Sequence, residues 1–174
     1  DPFLPEKIRT GLMNDIRECI GCNICYSCDA RGVPIRCTQN PTMGEEWRRN
    51  WHPEKIAAKQ SECSILVVGA GPAGLEAARA LGQRGYKVTL AEAERELGGR
   101  VAVECRLPGL TEWRRVIEYR IQQIKRMPNV KVYLESRLTA GEVLGFGFDR
   151  IIVATGSRWR RDGVARWHTS PVRD

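Results

Sequence analysis

The stretch Ile65-Leu-Val-Val68-Gly69-Ala-Gly71-Pro-Ala-Gly74 leaves this chain few folds to choose from. A short β-branched apolar run reads as a strand buried on both faces, the kind found inside a parallel sheet. It passes directly into Gly-x-Gly-x-x-Gly, and an alanine-rich helix follows from Leu75 to Leu81, ending near Gly85. Gly69 permits a tight turn, Gly71 lets backbone approach a pyrophosphate, and Gly74 lets helix and strand pack closely. Phosphates then meet a helix N-terminus, where N–H groups and the dipole favour negative charge. Pro72, followed by Ala73, fits there because a first-turn position loses no needed donor. The three glycines alone are weak evidence, but a strand before and a helix after them supply the required context.

The rest of this half continues the pattern. Lys87–Ala91 reads as a second strand, and Glu92 at its end is the natural acceptor for a ribose 2′-hydroxyl, with Glu94 as the alternative. An acid there repels a 2′-phosphate, which favours FAD, ADP or NAD over NADP. Glu96-Leu-Gly-Gly99-Arg100-Val101 sets a glycine pair and a guanidinium just beyond it. Trp113, Val116, Ile117, Ile121 and Ile124 recur at helical spacing, which predicts an amphipathic helix over Glu112–Arg126. Strands follow at Val130–Leu134 and Arg150–Ala154, the last delivering Thr155 and Gly156 at the sheet end where ligands bind. Strands alternating with helices predict an α/β fold with a parallel, Rossmann-like sheet.

Upstream, Cys19-Ile-Gly-Cys22-Asn-Ile-Cys25 places three cysteines at every third position, so that their sulfurs can converge on one centre. A fourth thiolate completes a cage of the kind that holds an iron–sulfur cluster. Zinc sites favour two C-x2-C pairs with a longer spacer between them, whereas here the third cysteine follows after two residues. A disulfide framework fits poorly, since the seven cysteines are odd in number and nothing secretory precedes them. Spacing leaves Cys28 and Cys37 as rivals for the fourth position. Cys63 and Cys105 read as ordinary reduced, buried cysteines. Arg17, Arg31 and Arg36 lie close enough in sequence to offset the charge of four thiolates.

The segment 19–52 shows little periodicity, so we expect an irregular loop ordered by its metal centre, with one or two helical turns at Gly44–Arg49. Trp47 and Trp51 read as cover for the cluster. His52 could ligate metal, but beside Pro53 it reads as a surface residue, and His168 sits in a similar polar context. A short helix is expected over Pro5–Asn14 and a polar, linker-like helix over 53–63. The formal charge is +7, from 28 basic and 21 acidic residues, yet the basic residues are dispersed without interleaved aromatics, so no nucleic-acid surface is expected. No run approaches the roughly 18 apolar residues of a membrane span, and no signal peptide is visible. Cysteine usage fits a reducing compartment, and a cytoplasmic protein is expected. The chain opens on Asp1-Pro-Phe without an initiator Met and stops at Pro171-Val-Arg-Asp174, which reads as a piece of something larger.

The nucleotide motifs together resemble the FAD-binding half of the two-dinucleotide-domain flavoprotein disulfide reductases. Joined to Cys-Ile-Gly-Cys-Asn-Ile-Cys, Cys37-Thr-Gln-Asn-Pro41, Gly44-Glu-Glu-Trp-Arg-Arg49 and Trp51-His-Pro-Glu-Lys55, they narrow the match. Essentially the whole chain resembles the iron–sulfur flavoenzymes of the trimethylamine dehydrogenase and 2,4-dienoyl-CoA reductase family. That resemblance implies an FMN-binding TIM barrel before this chain, with residues 1–18 as its tail end. It implies a cluster segment over 19–63 and a partial FAD- or ADP-binding domain over 64–174. It also implies Cys19, Cys22, Cys25 and Cys37 as ligands of a [4Fe-4S] cluster, leaving Cys28 free. The spacing between Cys22 and Cys25 is similar to that of the amine dehydrogenases and N-demethylases, whereas the dienoyl-CoA reductases carry one residue more.

The function so implied is electron transfer within a flavin-dependent oxidoreductase acting on methylated amines. The alternatives are an NAD(P)H-dependent enoyl or dienoyl reductase, and a redox-carrier or nucleotide-binding module without catalysis of its own. The expected partners are an electron-transfer protein or second nucleotide domain and a small amine or enoyl substrate. No group in these 174 residues can be placed at a reacting carbon, so no turnover is expected from them alone.

Overall fold

The computed structural model describes residues 1–50, 56–158 and 160–170, with the backbone alone at 48 and 49. Short elements come first. Helix α1 (Leu4–Arg9) stops sooner than the expected Pro5–Asn14, because Gly11 turns left-handed (φ 74°) and the chain closes in a Schellman motif. Its two bonds run from the Leu12 N–H to the Lys7 carbonyl at 2.8 Å and from the Gly11 N–H to the Ile8 carbonyl at 3.2 Å. A 3-10 turn follows at Met13–Asp15. The cysteine segment is less irregular than expected, since it contains α2 (Ile24–Ala30), and α3 (Glu46–Arg49) supplies the helical turn foreseen there.

From Ser64 strands and helices alternate: β1 (Ser64–Val68), α4 (Pro72–Gln83), β2 (Lys87–Ala91), α5 (Arg100–Glu104), α6 (Arg114–Lys125), β3 (Val130–Tyr133), α7 (Ala140–Gly145) and β4 (Arg150–Val153). A 3-10 turn at Thr111–Trp113 leads into α6. Helix α7 carries a capping box, with the Thr139 hydroxyl accepting the Glu142 N–H and the Glu142 carboxylate accepting the Thr139 N–H. The strands form one parallel sheet in the order β3-β2-β1-β4. In β1, Val67 pairs with Leu90 on one side and Ile152 on the other, and its side chain is fully buried. The order reverses at β1, so the crevice between β1 and β4 is the switch point of the sheet.

Leu75 and Ala78 of α4 and Ile117 and Ile124 of α6 pack with Val67 and Leu90 into the core. The apolar stripe of α6 therefore does what its periodicity predicts. It also carries a residue that the pattern did not single out: Arg120, 4% exposed, lies between Val116 and Ile124 on the buried face.

The helix expected over 53–63 is corrected. Residues 56–63 form no helix, and 53–55 lie outside the described residues. The reason is where the backbone groups go: Lys59 N–H donates to the Arg84 carbonyl at 2.8 Å and Gln60 N–H to the Tyr86 hydroxyl at 3.2 Å. The segment is thus laid along the end of α4 instead of bonding to itself. Trp47 is 83% exposed and covers nothing in the described structure, contrary to expectation, while Trp51 and His52 lie outside the described residues. Among the described residues no helix is long and apolar enough to cross a membrane.

Candidate functional site

At the carboxyl ends of β1, β2 and β4 lies a cleft of about 1230 Å3. Gly69, Gly71, Pro72, Glu92, Gly99, Arg100, Thr155 and Gly156 line it, whereas Ala73 and Gly74 lie behind it in the first turn of α4. The three fingerprint glycines are used differently. Gly69 has φ +97°, and a Cβ there would lie 2.5 Å from the Ala154 carbonyl oxygen. A Cβ on Gly74 would stand 1.8 Å from the Gly69 oxygen, so this glycine lets α4 close onto β1. A Cβ on Gly71 meets nothing within 4 Å. The open side of the turn is the side that faces the cleft. Gly71 is also the N-cap of α4, which has no side-chain cap and carries Pro72 in its first turn. The positive end of that helix thereby opens toward the cleft with no acidic residue in its own first turn.

Glu92 is 7% exposed and held from several directions. Its carboxylate accepts the Ala70 N–H at 2.7 Å and the Glu94 N–H at 3.0 Å. Its main chain bonds to Tyr133 and Ser136, each at 2.8 Å. Each carboxylate oxygen retains acceptor capacity beyond the bond it has. Glu94, by contrast, is exposed and paired with Arg137 at 3.3 Å. Arg100 begins α5 and its Nε donates to Glu104 at 2.8 Å. Further basic residues on the rim are Arg95, Arg106 and Arg158, the first two paired with Glu135 and Glu96.

The cysteine segment is bonded to α6. Left-handed residues at Gly21 (φ 67°) and Asn23 (φ 56°) fold Cys19–Cys25 sharply, and α2 then carries Cys25 and Cys28 one turn apart. Three sulfurs accept or share hydrogen bonds from the surrounding loop. Gly21 N–H donates to Cys19 Sγ at 3.3 Å, Gln39 N–H donates to Cys37 Sγ at 3.3 Å, and the Thr38 hydroxyl lies 3.2 Å from Cys22 Sγ. Burial acts to raise the Cys22 pKa, but the bonds from the Thr38 hydroxyl and from the Ile24 and Thr38 main chain outweigh it and hold the thiol below its ordinary value. All the cysteines are free thiols. Donors aimed at sulfur are what a thiolate ligand set requires, so these residues fit a thiolate-held group. Among the described residues no three His, Cys, Asp or Glu side chains converge as they would on a single ion. A cubane of four irons and four sulfides holds its thiolates further apart than one ion does.

Helix α6 packs on α4 and carries the contacts to the cysteine segment. Arg115 pairs with Glu18 at 2.8 Å and donates to the Cys19 carbonyl at 3.3 Å. The Arg17 guanidinium stacks 4.7 Å above the Tyr119 ring, and Gln123 and Arg126 both bond to Asp15. Arg120 reaches Thr38 and Gln39, directly after Cys37. Sequence reasoning missed this docking face. The available signal was an arginine at the i+4 position from Val116 and i−4 from Ile124, inside an apolar stripe.

The family model for pyridine nucleotide-disulphide oxidoreductases matches residues 63–168, more than half of the chain. The chain belongs to that family. It is 45% identical over 178 residues to the dimethylamine dehydrogenase of Hyphomicrobium sp. (strain x), covering 99% of this chain and 24% of that protein. Histamine dehydrogenase from Rhizobium sp. 4-9 superposes with a TM-score of 0.95 at 62% identity, over 98% of this chain and 25% of that one. The 6-hydroxypseudooxynicotine amine oxidase from Pseudomonas geniculata N1 gives a TM-score of 0.94 at 55% identity, over 99% of this chain and 26% of that one. The chain therefore spans about a quarter of the length of these relatives. As the sequence resemblance implied, they are flavin-dependent oxidoreductases of the trimethylamine dehydrogenase family.

Proposed function

We propose that this chain is the electron-transfer segment of a flavin-dependent amine dehydrogenase or N-demethylase. In this reading Cys19, Cys22, Cys25 and Cys37 hold a [4Fe-4S] cluster, and the cleft takes the ADP moiety of FAD or ADP itself. The observation that carries it is one continuous assembly. Donors meet the cysteine sulfurs in a segment bound to α6, and α6 packs on α4, whose N-terminus opens into a cleft lined by the buried Glu92.

In the cleft, Gly71 and the first turn of α4 receive the pyrophosphate, with Pro72 and Ala73 following. Glu92 offers its remaining lone pairs to the ribose hydroxyls, and its charge disfavours a 2′-phosphate. Gly99, Arg100, Thr155 and Gly156 close the crevice around the rest. A bound cluster supplies one-electron transfer between a flavin and an acceptor. The protein residues hold it by thiolate, direct N–H groups and a hydroxyl at the sulfurs, and anchor the loop on α6. Residues 1–18 serve as the end of an FMN-binding barrel, 19–63 as the cluster segment, and 64–174 as part of the nucleotide domain. Likeness to enzymes named for dimethylamine and histamine supports an amine as substrate of the whole protein, with an electron-transfer protein or second nucleotide domain as redox partner.

Anaerobic reconstitution tests the cluster: about four irons and matching acid-labile sulfide per chain are expected. Calorimetry with ADP and FAD tests the cleft. Stoichiometric zinc without sulfide, or no binding of either nucleotide, overturns the corresponding half of the reading.

A further inference from the structure

A buried guanidinium connects the nucleotide helix to the cysteine loop. Arg120 is 4% exposed, and burial lowers its pKa, as do Arg17 and Arg79, while Glu76 acts to raise it. An arginine remains charged under such shifts. Placing a charge at this core-facing position of α6 costs more than an aliphatic side chain would, so its contacts are informative. Its Nε lies 2.7 Å from Glu76 Oε2 on α4, an ion-pair contact without a hydrogen bond's direction. One terminal nitrogen donates to the Val116 carbonyl at 2.6 Å and to Gln39 Oε1 at 3.2 Å. The other donates to the Gln39 carbonyl at 3.3 Å and, at the long limit, to the Thr38 carbonyl at 3.5 Å.

Two consequences follow for the sulfurs. The Thr38 carbonyl and the Gln39 N–H are opposite ends of one planar peptide. A cation at the carbonyl end polarises that unit and strengthens the donor at its other end, which points at Cys37 Sγ from 3.3 Å. The Gln39 side chain, gripped at Oε1 by Arg120, gives its Nε2–H to the Glu18 carbonyl at 3.0 Å, beside Cys19. One guanidinium thus fixes the Cys37 loop to the Cys19 loop and sets the charge felt at Cys37.

We propose that Arg120 is a positioning residue for the cluster, acting through the Thr38–Gln39 peptide and the Gln39 side chain to favour the reduced, more negative state. This rests on the reading of the cysteines as cluster ligands. Hydrogen bonding at sulfur is one of the factors that set a cluster's potential.

The test compares Arg120→Lys and Arg120→Met with the unaltered 174-residue chain after anaerobic reconstitution, measuring iron, sulfide, midpoint potential and ADP affinity. With the cluster loaded, Arg120→Met is expected to be harder to reduce by tenfold or more in the equilibrium constant, which for one electron is about 59 mV. Arg120→Lys keeps the charge but loses the planar fork, so a smaller shift in the same direction is expected. ADP affinity is expected to stay within twofold. Should the methionine variant fail to fold, the lysine variant decides. A loaded lysine variant at the unaltered potential shows that the fork positions nothing and overturns the proposal, as does a fall in melting temperature with no change in potential. An unaltered chain that takes up no iron and sulfide overturns instead the cluster reading beneath it.

Discussion

The Glu92 carboxylate accepts the Ala70 backbone N–H at 2.7 Å, so the acid at the end of β2 holds the glycine turn at the end of β1. The residue read from the sequence as a ribose acceptor therefore also shapes the glycine turn. Glu92→Ala is expected to weaken ADP and FAD binding by about 1–3 kcal/mol and also to lower the melting temperature of the nucleotide-free protein. Glu92→Gln, which can still accept the Ala70 N–H, is expected to recover the stability but not the full affinity. Calorimetry and thermal melts on both variants separate the two tasks. Unchanged nucleotide affinity in Glu92→Ala excludes the site.

Gly71 and Gly74 belong to one motif yet fail differently. At Gly71 φ is −68°, which any residue adopts, and the side facing the cleft is open. Gly71→Val is therefore expected to leave the melting temperature nearly unchanged while abolishing measurable ADP binding. Gly74→Ala forces a methyl against the Gly69 carbonyl, 1.8 Å away in the unaltered structure, and is expected to destabilise the fold by about 1–3 kcal/mol or more. If Gly71→Val binds ADP normally, the phosphates lie elsewhere.

The nucleotide half was legible because its signals are local. Ile65–Val68, the glycine turn and Lys87–Ala91 each carry their period and punctuation within a few residues, and the strands appear where expected. Helix α4 extends to Pro72 at one end because the turn itself starts it. In the cysteine half the conformation was not legible. Helix α2 buries none of its residues, and it starts from a left-handed Asn23 that spacing does not reveal. The path of 56–63 depends on groups more than twenty residues away, at Arg84 and Tyr86. Arg120 was hidden for the same reason, since its partners Thr38 and Gln39 come from a distant loop.

Asp149 gives a pH signature. Its carboxylate accepts both the Ser64 N–H and the Ser64 hydroxyl at 2.8 Å, joining the entry of β4 to the entry of β1. Those two bonds hold its pKa below the ordinary carboxylate value. A group depressed in the folded state stabilises the protein above its unfolded pKa, and that contribution is lost as pH falls through the folded value. Asp149→Asn is therefore expected to melt at a lower temperature than the unaltered protein at neutral pH, with the gap closing in strongly acidic buffer. A gap independent of pH would show that the carboxylate's charge is not what matters there.

The cysteines make the sharpest test, because Cys28 and Cys37 compete for one position and their surroundings differ. Cys37 is followed by the Gln39 N–H that donates to its sulfur and by the Thr38 hydroxyl that reaches Cys22, so one short loop serves two sulfurs. Cys28 lies one helical turn beyond Cys25, and its carbonyl accepts the Arg31 and Val33 N–H groups that close α2. That arrangement gives the Cys28 backbone a structural task without requiring its sulfur. After anaerobic reconstitution, Cys37→Ser is expected to lose most of its iron and sulfide, whereas Cys28→Ser retains about four irons per chain and the visible absorption of a cluster. Because serine is close in size to cysteine, neither variant should disturb the sheet, and ADP affinity measured on the same samples checks this. Loss of the cluster in Cys28→Ser with retention in Cys37→Ser would reverse the ligand assignment and make α2, instead of the Cys37–Gln39 loop, the source of the fourth thiolate.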